Sequence, residues 1–307
     1  MRFMRGAVSM LFVLMAVFVI FISCGKNAVN DNGEDDDNDS NEYSLFEEVD
    51  TDYIGIWTIS PHYDSVMSAG AKVINLVDDS SFFVLWVPEN YSELSEKRVM
   101  IAMHGTAGKA YEEARWEIAM GSEYGYAVIA IQWEYPYFSG DSLDSVWYFD
   151  NDKVYHLIDT ALGYMEYKYG ADLQKVAYEG FSRGSAISYE VTYLDKSSGN
   201  NYFALTISHS GGIPFDSYPQ FIDDLLAGEY GTSAFSGKNF FLYCGMEDDH
   251  GEDTTMCAQM ENAYNIITEY GANVVEFIED SDGEHNGYHA DEENHRAAVE
   301  WFIELTS

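Results

Sequence analysis

One serine in this sequence sits where a nucleophile would. Gly180-Phe181-Ser182-Arg183-Gly184 places Ser182 between two glycines. The β-branched and aromatic run "KVAYEG" leads into it and the helix-like run "GSAISYEVTYL" leaves it. A sharp strand-to-helix turn needs small neighbours, and it lifts the central side chain clear of the sheet. The helix N-terminus behind that side chain favours developing negative charge. The competing interpretation is a glycine-rich turn with an incidental serine. A serine hydroxyl attacks poorly unless a histidine takes its proton and a carboxylate orients that histidine.

The chain holds eight histidines. His285 lies in "DSDGEHNGYH", a loop between the last strand-like run and the final helix-like run. His289 competes with it but stands almost against that helix, with less loop to reach across a sheet. His209 and His250 also follow strand-like runs, where they line a cleft or make structural hydrogen bonds. The carboxylate is expected after "NFFLYCG", where Glu247, Asp248 and Asp249 are adjacent; spacing does not choose among them. An oxyanion needs backbone donors. "MIAMHGTAGKA" supplies a glycine-flanked turn at His104-Gly105-Thr106-Ala107-Gly108. The N–H groups of Thr106 and Arg183, the latter directly after the serine, are the expected pair. His104 is read as a support for that turn.

These groups meet only if the intervening chain brings them to one edge. From residue 98 on, short apolar runs alternate with helix-period runs, which predicts an α/β domain with a mainly parallel sheet and helices on both faces. "RVMIAMHG", "YAVIAIQW", "KVAYEG", "YFALTISHS", "NFFLYCG" and "NVVEFIED" are the expected strands. Earlier, two runs around Asp78-Asp79-Ser80 predict an antiparallel hairpin at one edge of the sheet. Ligands of such sheets bind beyond the carboxyl ends of the strands, which is where every residue above lies. Two longer insertions flank that edge. "QWEYPYFSGDSLDSVWYFD" carries Trp133, Tyr135, Tyr137, Phe138 and Trp147. These either stack on a sugar or phenolic ring or cover the sheet edge. Residues 210–238 have room for one helix and a loop, not for a large lid domain.

The ends and the bulk composition set the context. Arg2 and Arg5, an apolar stretch from Ala7 to Ile22 and Ser23-Cys24 form a secretory signal over residues 1–24. Its close resembles a bacterial lipobox, with Cys24 as the lipidated mature N-terminus and a membrane as the partner. Simple secretion and an uncleaved anchor are the alternatives. Residues 25–45 are acidic and poor in apolar side chains, as expected of a solvated tether. Residues 46–307 form the expected globular domain. Residues 43–307 hold 12 of the 15 basic and 46 of the 53 acidic residues, a net charge of −34. A surface so acidic repels nucleic acid. Cys244 and Cys257 are either a disulfide pair or two buried thiols. The Cys and His spacings match no metal motif, and no cofactor is implied.

"HGTAG", "GFSRGS", "GMEDD" and "GEHNGYH" occur in the order of the α/β-hydrolases, and residues 75–305 resemble that superfamily. "VPENYSE" before "HGTAG", together with "VAYEGFSRGS", is similar to the polyhydroxyalkanoate depolymerase, feruloyl esterase and dienelactone hydrolase group. The resemblance implies an α/β-hydrolase fold with Ser182 as nucleophile, His285 as base and Asp248 as its orienter; the acid position is doubled as Asp248-Asp249. It further implies a serine hydrolase acting on a carboxylic ester; the signal makes it an exported one, and a cleft without a large lid suits a bulky or polysaccharide-linked ester of feruloyl or acetyl type. Trp133, Tyr135, Trp147 and His209 are the candidate substrate contacts. A polyhydroxyalkanoate depolymerase-like esterase, a serine peptidase and a non-catalytic binding lipoprotein are the rival functions.

Overall fold

The apolar runs from residue 98 onward become six strands: β4 (Arg98–Met103), β5 (Tyr126–Ile131), β8 (Val176–Phe181), β9 (Phe203–His209), β10 (Asn239–Gly245) and β11 (Asn273–Asp280). They are mutually parallel where they pair. In the computed structural model, residues 46–48, 61–76, 81–139, 142–215, 219–249 and 255–307 are described. The expected signal with Cys24, the expected tether, the turn at 78–80 and His250 lie outside them.

Every residue of β4 and β5 is buried, as a strand covered on both faces requires. Alternate side chains enter different layers. Met100 and Ala102 join Tyr111 and Ala114 of α2 (Ala110–Tyr124) and Val299 and Phe302 of α8 (Glu292–Leu305). Val99 and Ile101 join Ile158 and Ala161 of α3 (Asn151–Tyr169) and Val191 of α4 (Arg183–Ser198). On β10, Phe240 and Leu242 pack with Phe221 of α5 (Gln220–Leu226) and Met260 and Ala263 of α6 (Met256–Glu269). The helices therefore cover both faces, as the sequence predicts.

The nine-stranded sheet has the order β1-β2-β3-β5-β4-β8-β9-β10-β11. The expected hairpin is β2 (Lys72–Leu76) and β3 (Phe82–Trp86), antiparallel to each other. It is not the outermost pair, because β1 (Phe46–Glu48) adds antiparallel outside β2. Two short helices, α1 (Tyr63–Ser68) and α7 (Gly287–Ala290), have no counterpart in the sequence reading; neither is long enough to show a helical period.

The first insertion differs from the expected loop. It forms a separate two-stranded antiparallel sheet, β6 (Glu134–Ser139) and β7 (Ser142–Tyr148). Its aromatic and β-branched residues favour extended backbone. Pro136 is tolerated because a two-stranded ribbon consists only of edge strands. The second insertion contributes α5 alone among its described residues, which agrees with the absence of a large lid.

Candidate active site

β8 runs straight into α4, and Ser182 is the corner. Its backbone stands at φ 53°, ψ −109°, a region that costs a non-glycine residue about 1–3 kcal/mol. The surroundings enforce it. The Ser182 N–H donates to the His209 carbonyl at 3.0 Å, and the Ser182 carbonyl accepts from Ala186 N–H at 3.0 Å. Two glycines make room. A Cβ on Gly184 would collide with the Met103 carbonyl at the end of β4, and one on Gly180 with the Gly184 carbonyl. Tyr178 OH donates to that same Gly184 carbonyl at 2.7 Å. Ala107 and Ser210, in the turns after β4 and β9, share the positive φ (58° and 55°). Of the four described non-glycine residues with positive φ, these three thus lie at one edge of the sheet, and the fourth, Asn201, lies between α4 and β9.

Three of the candidate residues stand in series. His285 Nε2 is 3.0 Å from Ser182 Oγ, and His285 Nδ1 is 2.6 Å from Asp248 Oδ2. A carboxylate at Nδ1 fixes the proton there, so Nε2 is left to accept from the serine hydroxyl. Asp248 is buried, whereas Glu247 and Asp249 on either side are exposed. The loop after β10 is stitched to the loop after β11: Met246 N–H donates to Asp280 O at 2.8 Å and Glu247 N–H to Gly283 O at 2.9 Å. Those bonds carry Asp248 to His285. The Phe181 ring lies beneath His285, centroids 4.9 Å apart. A disulfide joins Cys244, near the end of β10, to Cys257 in the first turn of α6, which closes the segment bearing Asp248.

Ser182, Thr106 and Arg183 line a common cleft of about 650 Å³. Thr106 follows β4, and Arg183 opens α4 at the partially positive helix end. His104, fully buried, does not reach the cleft. Burial lowers its pKa to about 4, so its neutral ring donates from Nδ1 to Gly105 O at 2.9 Å and braces the turn. Trp133 is 1% exposed yet contributes to the cleft wall. Its indole N–H donates to His104 O at 3.2 Å. Tyr135 and Trp147 are register partners across β6 and β7; their side chains fall outside the described ones.

The structure does not bring His209 to the cleft. This residue is 1% exposed and absent from the cleft lining. Its Nε2 meets Glu179 Oε1, its ring stacks on Tyr288 at 4.0 Å, and burial drives its pKa well below the usual value. A strand-end position suggests exposure, but His209 pairs with Phe181 across the sheet and its ring is covered by Phe181 and Tyr288. His289 is likewise buried, on the α2 side of the sheet.

Several wall residues carried no signal in the sequence. Ile187, Phe221 and Ile222 make an apolar side, and Asp150, Asn151 and Glu190 a polar one. Asp150 caps α3 by accepting from Lys153 N–H at 2.8 Å. Asn151 donates to Glu190 at 2.5 Å, and burial raises the Glu190 pKa. They meet because the start of α3 packs against the middle of α4, which no local pattern reveals.

No protein-family model and no curated protein matches this chain. Solved structures do. A fungal esterase from Rhizomucor miehei superposes with a TM-score of 0.58 at 11% identity, over 81% of this chain and 89% of its own. An arylesterase gives 0.55 at 12% identity, over 77% and 82%. The Francisella virulence factor BioJ gives 0.55 at 9% identity, over 81% and 96%. The chain has the α/β-hydrolase fold.

Proposed function

We propose that this chain is a serine hydrolase of carboxylic esters, with Ser182 as nucleophile, His285 as general base and acid, and Asp248 as the residue orienting the imidazole. The reading rests on one observation: a buried carboxylate, an imidazole and a strained serine hydroxyl stand in hydrogen-bonded series at the mouth of a cleft. In the acylation step Ser182 Oγ bonds to the ester carbonyl carbon, its proton passes to His285 Nε2 and the carbonyl electron pair moves onto oxygen. The backbone N–H groups of Thr106 and Arg183 stabilise that oxyanion; loss of one such donor costs about 3 kcal/mol of transition-state stabilisation. Collapse expels the alcohol, which takes the proton from His285. Water then repeats the sequence on the acyl-enzyme.

The substrate proposed is a bulky ester of a hydroxyl-rich alcohol, of feruloyl or acetyl type on a polysaccharide. The two-sided cleft supports it. Asp150 and Glu190 offer carboxylate acceptors to sugar hydroxyls, and Ile187 and Phe221 offer an apolar surface to an acyl group. We further propose that the protein is exported and held to a membrane by acyl chains on Cys24. The basic–apolar–cysteine order of residues 1–24 supports this, as does a disulfide, which persists in oxidising compartments.

The test is a fluorophosphonate probe on the wild-type chain and Ser182→Ala, followed by a panel of acetyl, feruloyl and hydroxybutyrate esters and a peptide amide. Labelling should vanish in Ser182→Ala, and feruloyl or acetyl esters should turn over fastest. Undiminished turnover by Ser182→Ala would sink the proposal. Preference for hydroxybutyrate oligomers or the amide would move the substrate class.

A further inference from the structure

Beneath the triad the protein buries an unusual group of ionisable side chains. Glu113 and Glu117 come from α2, Glu179 from β8, His209 from β9, His289 from α7 and His295 from α8. None is more than 6% exposed. Glu117 is fully paired: it accepts from His295 Nε2 at 2.6 Å and from Tyr126 OH at 2.7 Å. The others are not. Glu113 Oε2, Glu179 Oε2, His209 Nδ1 and His289 Nε2 are buried without a hydrogen-bond partner among the described residues. Each such orphan costs about 1–3 kcal/mol, more if charged. Among the described residues, only histidines stand within ion-pair distance of Glu113 and Glu179.

The spacing of these atoms indicates what completes them. His289 Nε2 is 3.7 Å from the unpartnered Glu113 Oε2 and 3.7 Å from Glu179 Oε1, which meets His209 Nε2; both distances are beyond hydrogen-bond range. Ligand atoms of Glu179, His209 and His289 all lie within 4.8 Å of one another. A water hydrogen-bonded at about 2.8 Å to two atoms so placed would be squeezed to an angle of about 80°. A metal ion about 2.1 Å from both would subtend about 120°, roughly ten to fifteen degrees wider than the tetrahedral angle.

We propose that Glu179, His209 and His289 bind a divalent transition-metal ion, with Glu113 beside His289. Two imidazole nitrogens and a carboxylate oxygen suit zinc first, with manganese and cobalt as competitors. Glu179 and the adjacent Glu113 supply the charge that balances a dication; Arg115 acts on Glu113 and His289, but among the described residues no lysine or arginine stands within ion-pair distance of either acid. The ion performs no step of ester cleavage. It ties β8, β9 and α7 together, three residues before Ser182 and four after His285, and so holds both catalytic segments. The three ligands lie on three elements between residues 179 and 289, so no short ligand motif marks them.

The test uses the purified full-length chain, stripped with EDTA and titrated with Zn²⁺. It should retain about one equivalent through gel filtration. Zinc-edge X-ray absorption should show nitrogen and oxygen ligands with the outer-shell scattering of two imidazoles. Glu179→Gln and His289→Gln, with folding checked by circular dichroism, should each bind Zn²⁺ at least about tenfold more weakly. Absence of retained Zn²⁺, Mn²⁺ or Co²⁺ in folded wild-type protein would overturn the proposal. So would a zinc spectrum without imidazole, or equal affinity in both variants, since either would assign the metal to surface carboxylates. Should both variants fail to fold, the wild-type spectrum decides alone.

Discussion

His285 Nε2 stands 3.0 Å from Ser182 Oγ, while His289, four residues further on, points into the core toward Glu113 and Glu179. One turn of chain thus separates a histidine that meets the serine from one that cannot. Triad members act as a unit. His285→Ala should therefore lose ester turnover by a factor on the order of 10⁴–10⁶, as much as Ser182→Ala. His289→Ala should lose far less turnover and show its effect mainly as a lower melting temperature. Steady-state kinetics and thermal melts of the three variants check this; an inactive, fully stable His289→Ala would reverse the assignment.

The carboxylates separate in the same way. Asp248 is 1% exposed and bonded to His285 at 2.6 Å, whereas Asp249 is exposed. Asp248→Asn leaves the shape intact but presents an amide to Nδ1, which favours the wrong tautomer. We expect a fall in kcat of about 10⁴-fold. Asp249→Asn should stay within a few-fold of wild type. Comparison of the two kcat values on one ester is sufficient.

The bond between Cys244 and Cys257 constrains the segment that carries Asp248. Closing a loop of this length lowers the entropy of the unfolded chain, worth about 2–4 kcal/mol. Cys257→Ser should melt roughly 5–10 °C below wild type, given the size of the domain. It should also lose part of its turnover, because Asp248 sits between the two cysteines. A reducing agent should shift the melting temperature of wild type and leave Cys257→Ser unmoved.

For Cys24 the expected mature N-terminus is a lipidated cysteine. Each buried CH₂ of an acyl chain adds about 0.8 kcal/mol of membrane affinity, so two or more chains anchor stably. The full chain should partition with membranes, and Cys24→Ala should be released or remain unprocessed. Intact mass of the N-terminal peptide reads this directly; an unlipidated terminus at any other residue excludes a lipid anchor.

The sequence alone determined what is local in the chain. Apolar runs of strand length alternating with helical periods specify a parallel sheet, because each element carries its own pattern. The turn at Ser182 is legible for the same reason, since strand, glycines and helix are contiguous. Tertiary structure decided what depends on side chains far apart in sequence. Glu247, Asp248 and Asp249 are equivalent in the chain, and only the stitching of the Met246 and Glu247 backbone to Asp280 and Gly283 turns one of them inward to His285. His209 ends a strand as a cleft residue would, yet Phe181 and Tyr288 cover its ring and bury it against Glu179. Glu113 and Glu117 read as the polar positions of an amphipathic helix. They are buried because α8 and α7 close over that face of α2, bringing His295 and His289 against carboxylates more than a hundred residues away in the chain. Contacts of that separation are made by packing, which sequence periodicity does not encode.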